Sequence, residues 1–162
     1  MQPHRQELHR KKFESTLAGE PLTIEVSELA KQANGAVLVR HGETVVLGTA
    51  TMGPSSRVTD YLPLTVDYEE RFYAAGKILG SRFVRREGRP SDEGTLSARL
   101  IDRTIRPLFD HRLREEVHVV ATILAYDGVH DPDPVALLAA SAALSISDIP
   151  WGGPVAGVRT ER

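Results

Sequence analysis

Seven arginines lie between Arg82 and Arg106, and their types and spacing are the first sign of chemistry in this chain. Arg82, Arg85, Arg86 and Arg89 fall in a segment broken only by Phe83, Val84, Glu87 and Gly88. Arg99, Arg103 and Arg106 follow at i, i+4 and i+7, which points three side chains the same way from a helix. A guanidinium is planar, permanently charged and able to grip two phosphate oxygens at once. Phe83, set among these arginines, adds a ring on which an unpaired base can stack. The alternative is a solvated charged loop, with the helix arginines paired to Asp92, Glu93 and Asp102. Four acids stand against seven arginines over Arg82 to Arg106, so local neutralisation is incomplete. Gly76, Gly80 and Gly88 would also let the backbone approach a ligand. Phosphate or RNA binding is the stronger reading.

Other candidates are weaker. Asp67, Glu69 and Glu70 form one acidic group, and Asp127, Asp131 and Asp133 another. Either could offer carboxylate oxygens to Mg²⁺, but such acids serve more often as turn formers and caps. His4, His9, His41, His111, His118 and His130 show no metal-ligand spacing, and His118 reads as a core or near-core residue. Ser141, Ser145 and Ser147 lack a nucleophile-elbow motif. Gly76-Lys77 continues into Ile78, which is not a phosphate-binding P-loop. No self-contained catalytic constellation is expected, and no catalytic or metal-ligating residue is assigned.

The bulk properties narrow the class. A length of 162 residues suits one domain. Hydrophobic content of 41% and charged content of 26% are those of a globular protein. The net charge of −2 means that nucleic-acid contact must come from a local patch. Without cysteine there are no disulfides or thiolate-bound metals, which fits a reducing compartment. No apolar run reaches the ~20 residues of a membrane helix, and the first residues lack a secretory h-region. A cytoplasmic location with no membrane partner is the expectation.

The arginines need elements to hold them. Ser91 is placed to cap a helix, with Asp92 and Glu93 in its first turn, where the dipole favours acids. Leu100, Ile101, Ile105 and Leu108 should turn mostly toward a core. Upstream, residues 1–10 read as a loosely attached arm. Lys11 to Leu17 and Leu22 to Val26 form a hairpin around Gly19-Glu20-Pro21, and Ser27 to Ala30 a single helical turn. Ala36 to Arg40 and Thr44 to Thr51 form a second hairpin around His41-Gly42-Glu43, and Leu62 to Tyr68 another strand. Val117 to Tyr126 is nearly continuous apolar, as in a central strand buried on both faces. Asp133 with Pro134 should open a second helix reaching Ser147. Val155 to Val158 looks like the start of a further strand, left unfinished at Arg162, which is the pattern of a fragment. The plan is α+β, with helices packed on a mixed, mostly antiparallel sheet.

The run from Pro63 to Phe109 resembles the first RNase PH-type core domain of the bacterial polynucleotide phosphorylase family. The resemblance covers about Lys11 to Arg159 and rests on F-x-R-R-E-G-R-P at Phe83–Pro90 and R-L-I-D-R-x-I-R-P at Arg99–Pro107. It implies an RNase PH-like fold (ribosomal protein S5 domain 2-like), incomplete over residues 11–162 and truncated at the C-terminus. It also implies phosphate-dependent 3′-to-5′ degradation of RNA to nucleoside diphosphates, with inorganic phosphate as substrate, and the reverse polymerisation. The family forms homotrimers and meets RNA degradosome partners. Its phosphate site and Mg²⁺-binding acids lie in a second domain outside this chain. By motif position, the RNA-guiding residues are Phe83, Arg85, Arg86, Arg89, Arg103 and Arg106, with Arg99 joining them on the helical-face argument. Val84 stands where the family has a second phenylalanine, Leu79 where it has proline, and Thr104 where it has proline inside the helix. The last change should favour helix continuity.

The expectation is therefore a segment that binds and guides single-stranded RNA within a polyribonucleotide nucleotidyltransferase, and that is inactive alone. A stand-alone, non-catalytic RNA-binding or ring-assembly protein is the alternative. An active single-domain phosphorolase is weaker still.

Overall fold

The computed structural model describes residues 10–26, 30–55, 60–78 and 89–160. Six strands form one sheet: β1 (Lys11–Leu17), β2 (Glu20–Val26), β3 (Gly35–His41), β4 (Thr44–Gly53), β5 (Leu64–Glu69) and β6 (Glu116–Ala125). Their spatial order is β1-β2-β3-β4-β6-β5. All neighbours are antiparallel except β5 and β6, which run parallel and are joined through helix α1 (Asp92–Ile105). A parallel pair needs such a crossover, because a tight turn cannot return the chain to the same end. Helix α2 (Pro132–Ile146) follows β6.

The β1–β2 turn lies at Ala18-Gly19, both at positive φ, one step before the expected Gly19-Glu20-Pro21. The helical turn expected over Ser27 to Ala30 falls mostly outside the described residues, as does the arm at 1–9. Strand β5 begins at Leu64 rather than Leu62, because Pro63 has no amide to give; its carbonyl instead accepts the Val117 amide at 3.0 Å.

Both helices cover one face of the sheet. Val37, Val39, Val46, Ala50, Val119, Ala121 and Ile123 form the buried layer beneath α2, with Ile101 and Ile105 of α1 beside it. Helix and sheet touch at glycines: a Cβ on Gly48 would lie 2.6 Å from the Ala139 carbonyl, and one on Gly35 would clash with Ala143. An alanine-rich helix with a small-residue seam is what allows this approach.

Three expectations for this layer are corrected. β6 is not buried on both faces, because residues on the side away from the helices are half-buried. His118 belongs to that open side, where its Nε2 meets Asp67 Oδ2 of β5 at 2.7 Å. Leu100 does not join the core but is 54% exposed, while Ile101 and Ile105 are buried as expected.

Helix α2 starts earlier than the sequence suggested. Asp131, not Asp133, is the N-cap and accepts the Asp133 amide at 3.0 Å; Pro132 takes the first turn, where a missing N–H costs nothing. Val155 to Val158 is not a strand. The segment after α2 lies along that helix instead, with the Val155 amide donated to Ser141 Oγ at 2.9 Å.

Candidate nucleic-acid interface

Helix α1 is fixed at its start by one hydroxyl. Ser91 Oγ accepts the Gly94 amide at 2.9 Å and donates to Glu70 Oε2 at 2.5 Å. The N-cap thus ties the helix to the residue just past β5. Thr95 Oγ1 adds a bond to the Ser91 carbonyl at 2.9 Å. At the other end the helix runs unbroken through Thr104, whose hydroxyl donates to the Leu100 carbonyl at 2.8 Å.

The three helix arginines divide. Arg99 and Arg103 are exposed, on the same strip as Leu96 and Leu100. Arg99 lines a hollow of about 260 Å³ with Pro90, Asp67 and Asp102, so the chain leaving Arg89 passes close to it. Arg106 is held differently. Its Nε donates to Asp102 Oδ2 at 3.0 Å, and Nη2 to Asp102 Oδ1 at 2.5 Å and to the Leu64 carbonyl at 3.1 Å. Nη1 reaches the Leu62 carbonyl at 3.5 Å. Arg106 therefore fastens the end of α1 to the start of β5, although helical spacing alone aims it with Arg99 and Arg103.

Arg89 is exposed at the edge of the described segment. Phe83, Arg85 and Arg86 lie outside the described residues, with Arg82 and Val84. The chain enters that stretch through a 3-10 turn at Phe72–Ala75, closed by Gly76 at φ 66° and anchored to β6 by the Tyr126 amide on the Ala74 carbonyl at 2.9 Å. Phe72 and Tyr73 on this turn are exposed rings.

Behind the exposed strip of α1 lies a cavity of about 670 Å³, bounded by α1, the 3-10 turn and the start of α2. Asp131 and Asp133 on its floor both pair with Arg159 of the following segment. Burial pushes the Tyr68 phenol far above its usual range, and the charges of Asp133, Glu70 and Asp131 push it further. The cavity joins segments near residues 68–75, 93–97, 123–133 and 159, so no local motif could have disclosed it.

Asp127 organises the loop after β6. Its carboxylate accepts the amides of Val129 and His130, each at 2.8 Å, Glu43 at 3.2 Å, and the His130 ring at 2.5 Å. Burial alone would raise this carboxyl, but the His130 amide and ring, with the Val129 and Glu43 amides, outweigh it and hold the group well below the usual range. Asp127 thus forms the turn and Asp131 caps α2, while Asp67 and Glu69 hold His118 and Arg71. Among the described residues there is no group of three or more His, Cys, Asp or Glu that could hold a metal ion. No described helix is long and apolar enough to cross a membrane.

Comparison with known proteins shows the family and the fold. Residues 18–150 match the family described as "3' exoribonuclease family, domain 1" (RNase PH). The chain is 55% identical over 150 residues to the polyribonucleotide nucleotidyltransferase of Anoxybacillus flavithermus, covering 93% of this chain and 21% of that protein. It is 54% identical over 157 residues to the enzyme of the same name from Thermus thermophilus, covering 97% and 22%. The chain thus spans about a fifth of the length of these relatives. Among solved structures, rice Rrp46 superposes with a TM-score of 0.57 at 16% identity, over 89% of this chain and 58% of that one. An Archaeoglobus fulgidus exosome with RNA bound to its active site gives 0.55 at 20% identity, over 91% and 59%. Both likenesses concern the fold.

Proposed function

Because the chain belongs to the 3′ exoribonuclease family, domain 1, we propose that it is the first RNase PH-like domain of a polyribonucleotide nucleotidyltransferase, and that its part is to bind and guide single-stranded RNA. In the whole enzyme, RNA and inorganic phosphate give nucleoside diphosphates from the 3′ end. The phosphate and Mg²⁺ sites are assigned to a second domain outside this chain, the working assembly to a homotrimer in the cytoplasm, and the wider setting to RNA degradosome partners.

The observation that carries the RNA-guiding reading is the exposed pair Arg99 and Arg103 on a helix capped by Ser91, with Arg89 leading into it. Two guanidinium groups one helical turn apart can neutralise successive phosphates of a single strand. Leu96 and Leu100 on the same strip give its bases an apolar surface. Phe83, Arg85 and Arg86 are proposed to extend this track.

The test is RNA binding against salt. The wild-type chain should bind single-stranded RNA with affinity falling steeply as salt rises, since phosphate contacts release counterions. Arg99→Ala with Arg103→Ala should weaken binding to all sequences and flatten that slope. An unchanged slope would contradict the assignment.

A further inference from the structure

The cavity behind α1 has chemistry that phosphate binding leaves unexplained. Ser97, only 9% exposed, lines it, and its hydroxyl takes no hydrogen bond from any described residue. The residue is largely covered, but its hydroxyl opens into the cavity, where it can donate to or accept from a group that enters. Glu93 and Glu70 line the same space, and Glu93 makes no ion pair with a described residue. One wall is apolar: Ala75, Leu96 and Tyr126, the last 41% exposed as a residue.

We propose that this cavity receives a nucleobase bearing an exocyclic amine, splayed from an RNA strand whose phosphates rest on Arg99 and Arg103. The inference builds on the RNA-guiding reading and adds base preference to it. Arg71 and Arg159 also line the cavity, and Arg159 pairs with Asp131 and Asp133, so Glu93 and Glu70 are the carboxylates left to accept N–H groups, as acidic side chains do from the cytosine amine. The Tyr126 ring offers a stacking face, which every base can use. Uracil differs from cytosine on this edge by presenting a carbonyl where cytosine presents its amine. A carbonyl oxygen facing Glu93 or Glu70 is disfavoured, so the pocket separates the two pyrimidines while stacking barely distinguishes them. Recognition of a single-stranded base by aromatic stacking with hydrogen bonds on its Watson–Crick edge is a general mode for RNA. A volume of about 670 Å³ is ample for one base with its ribose.

The experiment compares oligocytidylate and oligouridylate of equal length by fluorescence anisotropy at fixed salt, with the wild-type chain and two variants. Ser97→Leu removes the hydroxyl and narrows the cavity beside it without altering charge; Tyr126→Ala removes the stacking ring and keeps the test independent of packing at Ser97. Wild-type chain should favour cytidylate by about fivefold or more, the order expected of one good base contact. Both variants should lose that preference and retain the salt slope. Equal affinity for the two oligomers in the wild type overturns the proposal, as does a preference that persists in both variants. Absence of binding to either oligomer overturns the RNA-guiding reading and the pocket with it. The two failures are thereby distinct.

Discussion

Arg106 and Asp102 form a two-point pair, Nε to Oδ2 at 3.0 Å and Nη2 to Oδ1 at 2.5 Å, and two further guanidinium N–H groups go to the carbonyls of Leu64 and Leu62. One arginine thus closes the α1 end, its acid one turn back and the entry of β5 into a single unit. Arg106→Ala should therefore act on stability. The pair is about one-third exposed, so the ionic part is small. The orphaned carboxylate and carbonyls should cost about 1–2 kcal/mol, a fall of roughly 2–6 °C in thermal midpoint. Thermal unfolding followed by circular dichroism checks this.

Arg99 and Arg103 should behave in the opposite manner. Each is exposed, so alanine there should leave stability within about 0.5 kcal/mol while reducing the salt slope of RNA binding by about one phosphate contact each. Parallel melts and binding isotherms on the same proteins separate the two classes of arginine.

Helical spacing could not draw that distinction. At i, i+4 and i+7 the sequence placed all three arginines together, and only the tertiary position of β5, supplying carbonyls at Leu62 and Leu64, separates Arg106 from the others. Elements with strong local signals were legible: Ser91 as N-cap, both hairpins, and the alanine-rich second helix. Leu100 was misread because the helix has a core on one side only and carries leucines on its exposed strip as well. His118 was misread because an apolar run in β6 suggested two covered faces, whereas the helices cover one. Val155 to Val158 has strand-like composition, but Ser141 captures its first amide. The cavity was not legible at all, since it is assembled from segments far apart in the chain.

Gly48, like Gly35, should be hard to replace in the sheet. An alanine there would put its Cβ 2.6 Å from the Ala139 carbonyl and 2.9 Å from the Ala139 side chain, and both elements are rigid backbone. Gly48→Ala should destabilise by about 3 kcal/mol or more, the upper part of the range for overpacked cores. Denaturant titration of the variant beside Gly53→Ala, which meets nothing within 4 Å, provides the comparison.

Asp127 gives the fold a pH dependence of defined sign. Its folded carboxyl is held below the unfolded value of about 3.9, so its contribution is fully present above that pH and is lost as pH falls toward the folded value. Asp127→Asn should be less stable than wild type at neutral pH, and the gap should narrow below about pH 4. Stability curves of both proteins across that window test it; a gap that stays constant would contradict the charged role of Asp127.

The central claim is a division of labour: this chain holds RNA, and phosphorolysis belongs to another part of the enzyme. The most direct measurement incubates the purified chain with poly(A), inorganic phosphate and Mg²⁺ and follows nucleoside diphosphate release, with RNA binding recorded on the same sample. The account predicts salt-dependent binding and no diphosphate. Diphosphate release that survives rigorous purification would place a catalytic site within these residues and contradict it.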